Sequence, residues 1–137
     1  MKKLNLLFLL AVICFSCSEE KTVKFAVCTD VHQDIIHDAP ERLQTFVEHA
    51  QKEDVDFIIQ LGDFCYPKTQ NDGFLNVWNS FSGPKYHVLG NHDMDISSKN
   101  ESMKYTGMEK SFYSFDECGF HFVVLDPNFF CGGFIFC

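Results

Sequence analysis

Three short apolar runs in this chain each stop abruptly in a polar cluster, and no other feature restricts the possible folds as strongly. Val23–Cys28 runs into Thr29-Asp30-Val31-His32, Asp56–Leu61 into Gly62-Asp63, and Lys85–Leu89 into Gly90-Asn91-His92-Asp93. The runs have strand length. Between the first two, Leu43, Phe46, Val47 and Ala50 recur at the spacing of one helix face, and Asp38 with Glu41 reads as a capping box around Pro40. Between the second and third, Phe74, Val77, Trp78 and Phe81 mark a shorter helix. Strands alternating with helices predict an α/β fold, β-α-β-α-β, with parallel pairing. Ser111–Asp116 and Phe120–Asp126, joined by Glu117-Cys118-Gly119, predict an antiparallel hairpin. The stretch 94–110 is polar and without periodicity, and reads as a surface loop.

In a parallel sheet the carboxyl ends of the strands lie on one edge, which is where ligands bind. The three clusters should therefore meet in space. A turn alone would need only Gly90-Asn91, and a core has no use for His92 beside Asp93. Carboxylate, imidazole and amide oxygen together suit a hard or borderline divalent ion. Gly62 and Gly90 let the backbone turn tightly before each cluster.

D-x-H, then G-D, then G-N-H-D, each at a strand end, resembles the calcineurin-like metallophosphoesterases over roughly residues 22–126. The resemblance implies a β-sandwich flanked by helices and a site for two divalent metal ions, manganese, iron or zinc. It implies Asp30 and His32 as ligands of the first ion, Asp63 as a ligand shared by both, and Asn91 as a ligand of the second. His92 would reach the substrate, stabilising phosphate charge or protonating the leaving oxygen. Asp93 would hydrogen-bond to His92 and keep it oriented and cationic. The implied reaction is hydrolysis of phosphomonoesters or phosphodiesters. Gly62-Asp63-Phe64-Cys65-Tyr66 is similar to the G-D-x-x-Y of purple acid phosphatases. That subgroup lacks the D-x-H histidine, so Tyr66 is expected in the pocket wall rather than on a metal.

The family also uses a later strand histidine and a G-H-x-H, which this chain does not carry. After His92 the only histidine is His121, expected on the hairpin surface. The domain is thus expected to be incomplete over 23–137, with weak, metal-dependent turnover or none. The apolar tail from Asn128 to Cys137 admits three explanations: a reading truncated or frame-shifted near Cys131, a fragment completed by another polypeptide, or a short protein that has lost full catalysis.

At the other end, Lys2-Lys3 and the apolar run Leu6–Phe15 read as a signal peptide, expected over residues 1–16. Ten apolar residues fall short of the roughly 20 needed to span a bilayer. Phe15-Ser16-Cys17 resembles a bacterial lipobox, so a lipid anchor at Cys17, a tether over 17–22 and a location in the bacterial cell envelope are expected, with plain secretion as the alternative. Without Lys2 and Lys3, 19 acidic residues face nine of the 11 basic ones, a net charge of −10. That surface disfavours nucleic acid; a small-molecule phosphate ester as substrate is what the family resemblance implies. The rival expectation is a non-catalytic envelope lipoprotein that keeps part of the site as a metal- or phosphate-binding surface.

Overall fold

The computed structural model describes residues 20–126, 128, 130–131 and 134–135. The signal peptide expected over 1–16 and the anchor at Cys17 lie outside the described residues. Three strands, β1 (Phe25–Cys28), β2 (Phe57–Gln60) and β3 (Lys85–His87), form a parallel sheet in the order β1-β2-β3. Helix α1 (Ala39–Lys52) connects β1 to β2, and α2 (Asp72–Asn79) connects β2 to β3. The hairpin follows as β4 (Tyr113–Glu117) and β5 (Phe120–Val124), paired antiparallel, and Phe130–Cys131 pairs with Phe134–Ile135. No helix among the described residues is long and apolar enough to cross a membrane.

Strand β2 is buried along its whole length, as a central strand covered on both faces must be. Its side chains alternate between two cores. Ile58 joins Leu43, Val47 and Ala50 of α1 and Phe74 and Trp78 of α2. Phe57 and Ile59 point the other way, against Phe115, Phe122 and Val124 of the hairpin. Phe57 is fully buried and meets four rings, stacked on Phe25 at 4.8 Å between centroids and edge-on to Tyr86, Phe115 and Phe122. The sheet thus separates a helical layer from a hairpin layer.

Two expectations need correction. Asp38 does stand at the N-terminus of α1, but its side chain makes no cap bond. Its backbone (φ −101°, ψ 11°) is not extended, and extended backbone is what turns a cap side chain toward the first free N–H groups. The capping box occurs instead inside 94–110. There Ser98 and Glu101 start a third helix, α3 (Lys99–Thr106), which Gly107 ends at φ 79°. No apolar face marks this helix, because polar contacts hold it. Ser102, its one buried residue, donates to the Asp93 carbonyl at 2.7 Å, and Tyr105 donates to the Lys68 carbonyl and the Asp72 carboxylate.

Candidate metal centre

The parallel register carries the pairing past the strand ends and aligns the clusters. Cys28 pairs with Gln60, and Gln60 with His87. Beyond the strands, Asp30 N–H donates to Gly62 O (3.2 Å), His32 N–H to Asp63 O (2.9 Å) and Gln33 N–H to Phe64 O (3.1 Å). Gly62 and Gly90 then meet backbone to backbone: a Cβ on Gly62 would overlap the Gly90 amide, and one on Gly90 would overlap the Asp63 carboxylate. Only glycine permits that approach.

Ligand atoms of Asp30, His32 and Asp63 all lie within 4.8 Å of one another. His32 Nε2 is 3.8 Å from Asp63 Oδ2 and 3.9 Å from Asp30 Oδ1. All three residues sit in the left-handed region, at φ 52°, 49° and 52°. Such backbone costs a non-glycine residue on the order of 1 kcal/mol, and it clusters where function holds a side chain in place. Two carboxylates and an imidazole on one spot are a donor set for a borderline divalent ion. These three residues fit the first of the two ions the sequence implied.

Asn91 stands exposed between Gly90 and His92, both of which touch Asp63. His92 donates its backbone N–H to Asp63 Oδ1 at 2.9 Å, and its ring lies 5.4 Å from that of His32. The clusters therefore do converge on one edge.

The partner of His92 differs from the expected one. Asp93 is 4% exposed, and its carboxylate accepts three backbone N–H groups: Asp63 (3.0 Å), Phe64 (2.7 Å) and Gly90 (2.9 Å). It ties the second strand-end loop to the third. Burial and the nearby Asp63 charge push its pKa up against the pull of those N–H donors. The carboxylate on His92 is that of Asp95, with Oδ2 2.8 Å from Nδ1. This bond and the Asp95 charge raise the His92 pKa, and His92 in turn lowers that of Asp95. The reason is geometric. His92–Met94 is a 3₁₀ turn, with three residues per turn, so residue i+3 stacks over i while i+1 points elsewhere.

Tyr66 lines the cleft with His32, Asp63 and His92, as expected, and its hydroxyl donates to Asp95 Oδ2 at 3.2 Å. A hollow of about 480 Å³ is walled by Pro67, Ile96, Ser97, Glu101, Lys104 and Tyr105, among them the chain neighbours of Tyr66 and Asp95. His121 is exposed on the hairpin, as expected, and pairs there with Asp116.

The model of the calcineurin-like phosphoesterase family matches residues 23–136. The chain belongs to that family. No curated protein sequence matches it. Among solved structures, a dimetal phosphatase from Danio rerio is similar at 21% identity and a TM-score of 0.59, over 79% of this chain and 45% of that one. A protein of unknown function from Aquifex aeolicus is 21% identical with a TM-score of 0.44, over 74% of this chain and 59% of that one. This phosphoesterase chain thus spans about half the length of the structures it matches. The likeness to the first shows the fold: a parallel three-stranded sheet with helices and a hairpin.

Sequence reasoning missed Asp95 and the network behind Tyr66. The Asp95 signal was present in His92-Asp93-Met94-Asp95, a histidine with a carboxylate at i+3, but the family resemblance pointed to Asp93.

Proposed function

We propose that the chain hydrolyses small phosphomonoesters or phosphodiesters with the aid of divalent metal ions. The convergence of Asp30, His32 and Asp63 on one spot, at strained backbone positions of a calcineurin-like phosphoesterase, carries the reading. Those three residues would hold one ion, and Asp63 with Asn91 a second. Manganese, iron and zinc all accept such donors. When bound, the ions would polarise the phosphoryl group and lower the pKa of water. The chain's own contribution falls to His92. Its raised pKa keeps the imidazole cationic further into the neutral range, ready to face phosphate charge or give a proton to the leaving oxygen. Asp93 fixes the two loops that present Asp63 and His92.

An acidic surface favours a small ester over a nucleic acid. Anchoring through Cys17 in a bacterial envelope belongs to the same proposal, supported by the basic start and the apolar run Leu6–Phe15. The test is hydrolysis of p-nitrophenyl phosphate and its bis ester as manganese is added. Turnover should rise with manganese and disappear in Asp63→Asn. A second reading, a non-catalytic binding surface, is favoured by one observation. Among the described residues, Asp30, His32 and Asp63 are the one group of histidine, cysteine or carboxylate side chains placed to hold a metal. Manganese binding without hydrolysis of either ester would select it.

A further inference from the structure

We infer that Asp95 is the positioning residue for the His92 imidazole, and that Tyr66 holds Asp95 in that task. The inference rests on the hydrolytic reading only for its catalytic consequence. Its geometry stands on the contacts themselves.

His92 sits on a surface turn with its side chain 46% exposed, so little packing fixes the ring. Two separate elements supply what packing does not. The 3₁₀ turn brings Asp95 over His92, and Oδ2 meets Nδ1 at 2.8 Å. The same oxygen accepts the Tyr66 hydroxyl, which arrives from the loop after β2. Tyr66 is itself anchored. Its backbone N–H donates to Asp34 at 2.7 Å, and Asp34, whose side chain is 6% exposed, also accepts from Asn71 and pairs with Lys68. A nearly buried carboxylate thus reaches the exposed imidazole through three successive contacts. Asp93 cannot take this place, because its oxygens are occupied by three backbone N–H groups.

The chemistry follows from donor and acceptor identity. An ionised carboxylate only accepts, so the hydrogen of the neutral ring must sit on Nδ1. Nε2 is then left for the substrate, with its lone pair when the ring is neutral and its proton when the ring is charged. Asp95 acts on the reaction only through His92.

The test reads the tautomer first. Long-range ¹⁵N correlation spectra of the metal-free full chain, at a pH where imidazole is neutral, should show His92 with its hydrogen on Nδ1. Asp95→Ala should move it to Nε2, and Asp95→Asn, whose amide oxygen can still accept, should restore Nδ1. Both His92 and Asp95 are exposed, so these variants retain the fold. A wild-type hydrogen on Nε2, or a tautomer unchanged by Asp95→Ala, overturns the inference. With manganese and p-nitrophenyl phosphate, Asp95→Ala should lower kcat about 10-fold or more, a part of the roughly 10²- to 10⁴-fold that a positioned acid or base contributes, with little change in KM. In a His92→Ala background the same substitution should add nothing, and an equal further loss there overturns the inference. The tautomer is read without metal or turnover. A chain that hydrolyses nothing would therefore sink the hydrolytic reading and leave the Asp95 contact to be judged by its spectrum.

Discussion

Lowering the pH from 7 to 4 should cost the fold about 3 kcal/mol at one residue, His87. Its imidazole is buried beside Trp78 and Phe64, with ring centroids 5.3 and 6.0 Å away, and burial, with Lys85 nearby, lowers its pKa from 6.5 to about 4. The hydrogen bonds agree. Gly62 N–H can only donate, and it donates to Gln60 Oε1 at 2.6 Å. That fixes the Gln60 amide, so Nε2 donates to Val88 O (2.9 Å) and to His87 Nδ1 (3.1 Å). Nδ1 must carry a lone pair, and protonating it would set two donors face to face. Above pH 6.5 neither the folded nor the unfolded chain holds the proton. Below it the unfolded chain binds a proton that the folded one refuses, so stability falls as pH falls. From the two pKa values the loss is about 2 kcal/mol at pH 5 and about 3 kcal/mol at pH 4. The assay is urea unfolding of the wild type and His87→Gln, which keeps an acceptor for Gln60 but does not titrate. Comparing the two cancels the acid response of the other groups, so the wild type should lose that much relative to the variant. Parallel pH profiles would mean that His87 takes up its proton equally readily in the folded and unfolded chain.

Asp93→Ala should destabilise the fold by about 3–5 kcal/mol in urea, because three N–H groups, one buried and two part-buried, lose one charged acceptor; a loss under about 1 kcal/mol would contradict the assigned role. Ser98→Ala removes one half of the α3 capping box and should cost about 1 kcal/mol, seen as faster amide exchange over residues 99–106 with the rest of the chain unchanged. If Cys17 carries the lipid, radiolabelled palmitate fed to expressing bacteria should label the chain, and Cys17→Ser should abolish the label.

Whatever depended on apolar period was legible in the sequence. The strands, α1, α2 and the hairpin all bury a patterned face, and burial leaves that pattern in the residues. The edge where Asp30, His32 and Asp63 meet was legible too, since parallel strands ending in polar clusters leave no other place for them. Helix α3 was not, because Ser102, Tyr105 and Lys99 attach it through polar groups that resemble those of a loop. The partner of His92 differs for another reason: the family resemblance implied Asp93, whereas the 3₁₀ turn here makes neighbours of residues three apart. The buried Gln60–His87 pair sits in a run that reads as strand, and nothing in its spacing shows which polar side chains face each other across β2 and β3.

The left-handed backbone at Asp30 and His32 has a consequence for which substitutions the fold tolerates. Glycine would relieve roughly 1 kcal/mol of conformational strain at each position, and neither side chain is enclosed in the core. In the unfolded chain glycine gives back a similar amount through its greater freedom, so the two effects largely offset each other. Glycine at either position should therefore leave the fold nearly as stable as before and take away only a ligand atom, so these are places where metal binding can be lost without unfolding.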